Sequence, residues 1–425
     1  MSIIHESQEG WLVDSLSLST CSVENEKRMT KYALRSDLFK IVSPFMMNSQ
    51  FEKICKEEKS INLEVGVKER KKKRKRKAEK NIGEKLAEEF HTKVKHYVLE
   101  GYRSLVSAGR ECGYFLSPAG SGSANNNLAS REAAMAQGAG EWFVQLCQEP
   151  RANISVGIQV HCVQAGGSIP SSLLFNGLWQ HKGDNCVMVQ LDPGVFIIPP
   201  DCRFLISDIH QLEQACSDLG QFDLIVMDPP WESKSVKRLK KYSMLANSDL
   251  LSLPLGALMA PGCVVGVWVT NRQAHIHFIT DQLFSANHIQ HVATWYWLKV
   301  TKSGVCIRDI DDSHKKPYEV LMLGRYVVPG STMYDRSKNQ SDSLCCTDGG
   351  KDTADSPVIP NNKLVVSVPC SLHSKKPILT EVLRSYLPTS PRCLEMFARN
   401  LLPHWTSWGN EVLLHQHKDF FEEVT

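Results

Sequence analysis

Asp228, Pro229, Pro230 and Trp231 place an acid, two rigid residues and a flat aromatic ring directly after an apolar run. That run, Asp223 to Met227, is rich in branched apolar residues, which is typical of a buried parallel strand. Two consecutive prolines can continue neither a strand ladder nor a helix. The sequence therefore predicts a carboxylate at the carboxyl end of a buried strand, where open α/β sheets bind their ligands.

This arrangement suits transfer of a group to the exocyclic amine of adenine. The amine is a poor nucleophile because its lone pair is delocalised into the ring, but Asp228 can accept one N–H and the carbonyl of Pro229 the other. Two rigid acceptors favour a pyramidal nitrogen whose lone pair faces an electrophile, such as the methyl group of S-adenosylmethionine. Trp231 can contact or stack on the base. The structural alternative is a strand that ends in a proline turn, with Trp231 in the core.

The tetrad after an apolar strand resembles the adenine-N6 methyltransferase family that includes the catalytic subunit of the messenger-RNA adenosine methyltransferase. The resemblance covers about Ile197 to the C-terminus and implies a Rossmann-like α/β domain that uses S-adenosylmethionine. The segments that match, in the same order along the chain, are Trp268–Arg272, Trp297–Lys299, Ser313–Glu319, Lys375–Pro377, Glu395–Asn400 and Trp408–Glu411.

The resemblance assigns a set of residues to the cofactor. It places Lys376 at the cofactor carboxylate, and Glu395 can bond ribose hydroxyls or orient the turn that follows. Many methyltransferases have glycines after this acid, whereas this chain has Ala398, Arg399 and Asn400. The complete predicted set is Asp208, Ile209, Asp228, Pro229, Lys376, Glu395, Arg399, Asn400, Asn410 and Glu411.

A second set of residues is predicted to contact the substrate. The loop after the tetrad is cationic and contains an aromatic residue, which suits a polynucleotide better than a free nucleoside. A solvated polar loop is the alternative. The predicted substrate-binding residues are Trp231, Lys237, Arg238, Tyr242, Asn271, Arg272, Lys315, Lys316 and Tyr318.

Composition indicates a soluble intracellular protein of roughly two or three domains. The chain has 425 residues, of which 42% are hydrophobic and 22% are charged. Its 14 cysteines form no regular framework, so they read as reduced thiols. No apolar run approaches the roughly 20 residues that a membrane span needs, and the N-terminus lacks a signal pattern. Neither a membrane nor a metal is expected, and no protein partner is indicated.

The positive charge is concentrated in one tract. Its eight side chains contribute +8 to a formal net charge of +3, so the rest of the chain carries 3 − 8 = −5. A nuclear import signal and a contact to nucleic-acid phosphates are both predicted, and a solvated charge run is the alternative. The tract consists of Arg70, Lys71, Lys72, Lys73, Arg74, Lys75, Arg76 and Lys77.

We divide the chain by composition and periodicity. Residues 1–116 form an N-terminal region, mixed α/β and partly irregular, with the basic tract and a long helix over about 67–108. Residues 117–130 are a flexible linker, and 131–196 are a small auxiliary domain. The methyltransferase domain occupies 197–425, with a polar insertion at 329–362.

The predicted reaction is methylation of N6 of adenosine in RNA, in the nucleus and also in the cytosol. The order and spacing of the motifs most resemble the branch of the family that modifies an internal 2′-O-methyladenosine of a small nuclear RNA. The alternatives are N6-adenine methylation of DNA and a catalytically silent RNA-binding subunit. Protein-amide methyltransferases share the acceptor geometry but have Asn in place of Asp228 and Tyr in place of Trp231.

Overall fold

Short apolar segments form the strands of a mixed α/β structure in the computed structural model. It describes residues 2–17, 20–25, 28–44, 81–116, 159–175, 177–191, 194–207, 212–231, 245–312, 315–330, 357–370 and 375–424. The strands are β1 Ile3–Ser7, β2 Gly10–Val13, β3 Cys21–Asn25, β4 Arg28–Leu34, β5 Gln159–Cys162, β6 Gly177–His181, β7 Val187–Leu191, β8 Gly194–Ile198, β9 Cys202–Leu205, β10 Phe222–Met227, β11 Met259–Val269, β12 Ile289–Lys299, β13 Tyr318–Tyr326, β14 Leu364–Ser367, β15 Cys393–Met396, β16 Trp405–Trp408 and β17 Phe421–Val424.

Twelve of the described strands form one large sheet, in the order β1-β2-β14-β12-β13-β11-β10-β15-β16-β9-β6-β5. Strand β10 lies near its middle and pairs in parallel with β11 and β15. Strands β12, β14, β16 and β9 share this direction, whereas β13 is antiparallel to its neighbours. The carboxyl ends of the parallel strands therefore lie along one edge, and the predicted α/β class is confirmed.

Most of the described helices are short. Pro254 separates two of them, Asn247–Leu251 and Leu255–Leu258. None of the described helices combines the length and apolar character that crossing a membrane requires. The helices are α1 Ser36–Phe39, α2 Ile82–Glu111, α3 Ser171–Leu174, α4 Leu212–Leu219, α5 Asn247–Leu251, α6 Leu255–Leu258, α7 Gln273–Phe278, which continues as a π-helix over Ile279–Phe284, and α8 Thr380–Leu383, with short 3-10 turns at Arg384–Tyr386 and Lys418–Phe420.

Helix α2 overlaps the long helix predicted over about 67–108, but it begins at Ile82 and ends at Glu111. It packs across β1, β2 and β14. A capping box starts it: the side chain of Asn81 accepts from the Glu84 backbone N–H, and the Glu84 carboxylate accepts from Asn81 N–H. Close packing needs Gly101, where a Cβ would lie 2.8 Å from the Leu364 side chain. The buried face of this helix includes His91, Val94, Val98, Gly101 and Leu105, whereas Leu86 and Tyr97 are exposed.

The N-terminal region contributes to the same sheet as the catalytic strands. Strands β1 and β2 lie beside β14, and β5 and β6 extend the sheet beyond β9. The large sheet therefore continues across the division predicted at residue 197, because backbone pairing joins both sides. Strand β4 also pairs with β17 from the C-terminus on one side and with β3 on the other.

The predicted polar insertion lies partly outside the described residues, which resume at 357. Part of its described end is buried. Ile359 is 4% exposed, and the carbonyl of Pro360 accepts a hydrogen bond from Trp295 Nε1 at 2.7 Å. The linker, the basic tract at 70–77, the pair Asp208 and Ile209, and the loop with Lys237, Arg238 and Tyr242 also lie outside the described residues.

Candidate active site

One edge of the sheet brings together side chains that are far apart in the sequence. Asp228 follows β10, Lys299 ends β12, and Glu395 lies one residue before the end of β15. Because β13 runs in the opposite direction, it starts at this edge with Tyr318 and Glu319. The strand directions therefore bring Asp228, Lys299, Glu319 and Glu395 to one edge of the sheet.

Asp228 lies in a cluster of ionised groups. Its Oδ2 is 3.2 Å from Lys376 Nζ and 3.8 Å from Arg399 NH1. Arg399 Nε also donates to Glu411 Oε2 at 2.8 Å. The tetrad acid and three of the other predicted cofactor residues, which are separated by up to 183 positions, are thus in contact or adjacent. This is the convergence that the resemblance predicts.

Glu319 and Lys299 complete this cluster, and neither was predicted as a site residue. Glu319 Oε2 accepts from Lys376 Nζ at 2.7 Å, and Glu319 Oε1 accepts from Lys299. The register pairs Trp297 with Glu319, so Lys299, two residues further on, faces the same side. Both residues stood inside matching segments, and the alternation of the two strands could have found them.

The pKa shifts in the cluster follow from burial opposed by ion pairing. Burial alone would raise the pKa of Glu319, but Lys299 and Lys376 hold it well below its ordinary value. Burial alone would lower the pKa of Lys376, but Asp228 and Glu319 raise it above its ordinary value. Three carboxylates (Asp228, Glu319 and Glu411) face three cations (Lys299, Lys376 and Arg399), so these six groups carry no net charge together.

The cleft beside this cluster suits a nucleoside cofactor. Glu395 Oε2 is buried and, among the described residues, has no hydrogen-bond partner. Burial raises the pKa of Glu395 to about 7, with Lys375 and Arg399 opposing the shift. An orphaned buried acceptor of this kind matches a ligand hydroxyl. Asn400 is 8% exposed and lines the same cleft with Lys376 and Pro377.

The turn after β15 is built without the usual glycines. Phe397 takes the left-handed conformation, with φ at 61°. The neighbouring chain approaches it closely: a Cβ at Gly409 would lie 3.0 Å from the Ala398 nitrogen. Of the residues that follow Gly409, Asn410 is exposed and Glu411 is half-buried. Strain at Phe397 and a glycine opposite it therefore replace a glycine-rich turn.

The tetrad itself is held by backbone hydrogen bonds. The carbonyl of Pro229 accepts from the Trp231 N–H at 2.8 Å, and the carbonyl of Pro230 accepts from the Leu245 N–H at 3.2 Å. A carbonyl oxygen has two lone pairs, so Pro229 keeps one for a substrate amine. The Asp228 side chain is 17% exposed and faces the cleft with its acceptor oxygens.

Comparison with known proteins agrees with this geometry. The MT-A70 family profile matches residues 222–411, from β10 to Glu411. The N(6)-adenine-specific methyltransferase METTL4 of Mus musculus is 35% identical over 413 residues, which are 95% of this chain and 82% of that protein. The chain belongs to the MT-A70 family. The predicted enzyme class, an S-adenosylmethionine-dependent adenine-N6 methyltransferase, is confirmed by this membership.

Other MT-A70 relatives differ in the polymer that their names give. A DNA N6-methyl methyltransferase of Caenorhabditis elegans is 31% identical over 402 residues, which are 91% of this chain and 92% of that protein. The N6-methyladenosine RNA methyltransferase MTA1 of Cryphonectria parasitica is 34% identical over 235 residues, 53% of this chain and 62% of that protein. Family membership therefore establishes N6-adenine methylation of nucleic acid and leaves the polymer open.

In this MT-A70 protein, Trp231 does not present an open stacking surface. Its side chain is 7% exposed, its Nε1–H donates to the carbonyl of Trp268 at 2.9 Å, and its ring stacks on His275. The protein therefore already occupies one face and the polar atom of the indole, and a contact of Trp231 with the base stays a prediction.

Three other predicted substrate residues also contact the protein. Asn271 Nδ2 donates to the carbonyl of Tyr318 at 2.9 Å, and Arg272 NH1 donates to His275 at 3.4 Å. Tyr318 is 1% exposed, and its hydroxyl is 2.9 Å from His91 Nδ1 on α2. It faces away from the cleft because its neighbour Glu319 faces into it. The predicted substrate contact of Tyr318 is therefore corrected, whereas those of Asn271 and Arg272 stay predictions.

Lys315 and Lys316 lie at the end of the loop that leads into β13. Lys315 is exposed and Lys316 is half-buried, and burial lowers the pKa of Lys316. Their contact to substrate stays a prediction. The described residues contain no group of three or more His, Cys, Asp or Glu side chains placed to hold a metal ion.

Proposed function

We propose that this enzyme transfers the methyl group of S-adenosylmethionine to N6 of an adenosine in RNA, and that the target is an internal 2′-O-methyladenosine of a small nuclear RNA. The observation that carries the proposal is the position of Asp228. Its carboxylate is fixed at the end of a central strand, next to Lys376 and Arg399 and beside the cleft with the orphaned Glu395 oxygen.

The described residues divide the work between two ligands. Lys376, Glu395, Arg399 and Asn400 would hold S-adenosylmethionine, which supplies an electrophilic methyl group when bound. Asp228 accepts one N–H of the adenine amine and the carbonyl of Pro229 the other, which leaves the nitrogen lone pair pointing away from both acceptors. Lys376 offsets the negative charge of Asp228, so the carboxylate can remain buried beside an uncharged base.

Adenine in DNA is the second candidate substrate, and the name of the C. elegans relative supports it. The two candidates differ at the 2′ position of the target and its neighbours. Nucleoside mass spectrometry on the full chain, incubated with labelled methyl donor, distinguishes them. Four matched oligomers are needed: DNA, RNA, RNA with a 2′-O-methyladenosine, and RNA with that base changed to guanosine.

We expect label on N6 only where the target adenosine carries the 2′-O-methyl group. Equal labelling of plain and 2′-O-methylated RNA would reject the specific target and keep the reaction. Preferential labelling of DNA would reject RNA as the main substrate. Asp228→Ala in the same assay is the control for contaminating activity.

We further propose that the basic tract at 70–77 carries the chain into the nucleus and adds contacts to RNA phosphates. Eight adjacent cations suit both tasks, and each phosphate contact steepens the salt dependence of binding. Replacing the eight residues with Gln should reduce nuclear accumulation of a fluorescent fusion and flatten the slope of log affinity against log salt. An unchanged distribution together with an unchanged slope would reject both roles.

A further inference from the structure

His275 is buried against the tetrad, although nothing in its sequence position distinguishes it from His277. It lies on α7 and is 5% exposed. Its ring stacks on Trp231 with the centroids 4.8 Å apart and the planes 20° from parallel. Phe278 meets the same indole edge-on at 6.4 Å. His277, by contrast, is 69% exposed and contacts Asp281 at the surface.

Hydrogen bonds fix both the tautomer and the plane of the His275 ring. Arg272 NH1 lies 3.4 Å from His275 Nε2, and a guanidinium can only donate, so Nε2 is the acceptor. Nδ1 therefore carries the proton and donates to Thr270 Oγ1 at 3.0 Å. This assignment makes the imidazole neutral, and Thr270 and Arg272, which follow β11, hold its plane.

The segment Trp268–Arg272 consequently holds Trp231 of the tetrad from two directions, and we call this segment the bracket around Trp231. The carbonyl of Trp268 accepts from Trp231 Nε1, while Thr270 and Arg272 hold the ring that covers one indole face. Trp231 is thus fixed in its plane by one hydrogen bond and out of its plane by His275. Because Trp231 follows Pro230 directly, its orientation determines where the backbone of the tetrad points.

We propose that His275 is a positioning residue for methyl transfer: it acts through Trp231 to hold the tetrad turn, and hence Asp228 and the Pro229 carbonyl, in the arrangement that grips the adenine amine. This inference rests on the proposed function. Stacked aromatic pairs and small displacements of reacting groups both carry measurable free energy, so loss of the stack should reach the rate.

The test compares three substitutions of His275 in the full chain, with His277→Ala as a matched control on the same helix. His275→Ala removes both the stack and the hydrogen bonds, His275→Phe keeps a ring without them, and His275→Gln keeps a polar group without a ring. We expect kcat to fall on the order of tenfold for the Ala and Gln variants and about threefold for Phe. His277→Ala should match wild type, and the cofactor Kd should stay within about twofold throughout.

Two further measurements separate positioning from general destabilisation. Ring-nitrogen NMR on ¹⁵N-histidine-labelled wild type should show His275 as the neutral Nδ1–H tautomer, identified by the signals that His275→Gln lacks. Thermal unfolding of each variant shows whether lost activity follows lost stability. The proposal is overturned if His275→Ala keeps kcat within twofold, if cofactor Kd and Tm change in proportion to kcat, or if His275 is the Nε2–H tautomer.

These outcomes are distinct from failure of the proposed function. If wild-type protein methylates neither RNA nor DNA, the proposed function fails, while the tautomer measurement still accepts or rejects the bracket around Trp231. If wild type is active and the His275 variants keep its kcat, only the positioning role fails.

Discussion

Two groups of side chains near Asp228 are held together by different interactions, ion pairs in one and aromatic stacking in the other. On one side, Lys376, Glu319 and Lys299 form a chain of ion pairs that continues through the sheet edge. On the other side, Trp231 and His275 form an aromatic stack with hydrogen bonds only at its rim. We call these the ionic side and the aromatic side of the site.

The contacts on the ionic side can be exchanged for contacts with a ligand, whereas those on the aromatic side are fixed. Lys376 already has two carboxylate partners, so an anionic ligand group can replace one of them without stranding a buried charge. The aromatic side has no such second partner, since the single polar atom of the Trp231 indole is bonded to a backbone carbonyl. The ionic side is therefore suited to binding and release, and the aromatic side to holding a constant shape.

The strongest test of this division removes the residue at its centre. Asp228→Ala should abolish turnover, a loss of about a thousandfold or more, because the adenine amine loses its charged acceptor. The cofactor Kd should stay within a few-fold, since Glu319 still pairs with Lys376. Methyl transfer is followed by nucleoside mass spectrometry and binding by calorimetry. Retained turnover would contradict the role of Asp228 at the boundary.

The second test examines whether the ionic side is a mutually compensated unit. Glu319→Gln leaves Lys299 without its carboxylate in a largely buried position, which should lower the free energy of unfolding by about 1–3 kcal/mol. Adding Lys299→Met to that variant should recover part of the loss, because no uncompensated cation remains. Urea unfolding of wild type, both single variants and the double variant gives the coupling. Additive losses would mean that the pair is not a unit.

The aromatic side also shows what the sequence could and could not predict. The apolar run and the proline pair predicted β10 and the place of Asp228, because a buried strand and its end leave strong local patterns. The resemblance assigned Asp228, Lys376 and Arg399 to one site, but the ion pairs among them were not predicted. The surroundings of Trp231 could not be predicted from the sequence either, since stacking on His275 depends on how α7 folds back over the strand end.

Tyr318 and Glu319 illustrate a second limit. They are adjacent in the motif, and the sequence suggested the aromatic residue for the cleft. The pleat sends one side chain to each face, and the register with β12 decides which. A shift of one residue in the register would exchange the faces on which Tyr318 and Glu319 lie. The sequence pattern alone did not determine which of the two faces the cleft. The N-terminal strands were unassigned for a related reason, because β1 and β2 gain their place from pairing with β14.

The stability of the protein should depend on pH through Glu395, which lies in the cleft beside the ionic side. Burial raises the pKa of Glu395 to about 7, above the value of about 4.3 expected in an unfolded chain. The folded state therefore binds this proton more tightly, so the stabilising contribution is complete below about pH 4 and is lost as pH rises through 7. Relative to Glu395→Gln, wild type should lose up to about 3 kcal/mol of stability between pH 4.5 and 8.

Cofactor affinity should follow the opposite trend. The ionised Glu395 is the better acceptor for ribose hydroxyls, so wild type should bind S-adenosylmethionine more tightly as pH rises from 6 to 8, by about tenfold at most. Glu395→Gln should bind weakly and with little dependence on pH across that range. Chemical unfolding and calorimetry at four pH values measure both trends. Parallel pH curves for the two proteins would show that Glu395 does not titrate there.

The smallest effect is expected where the N-terminal helix supports the site from behind. His91 on α2 bonds the Tyr318 hydroxyl, and the Tyr318 carbonyl accepts from Asn271, so Tyr318 is held at both ends directly before Glu319. His91→Phe should reduce turnover about twofold to fivefold and cost about 1 kcal/mol of stability by leaving the buried hydroxyl without its partner.

Exposed His96, changed to Phe, is the matched control on the same helix. Adding Tyr318→Phe to the His91→Phe variant should cost little more, because the hydrogen bond between these two residues is already lost. Losses that add would mean that α2 supports the ionic side through other contacts, and the helix would then be a general scaffold rather than a specific support for Glu319.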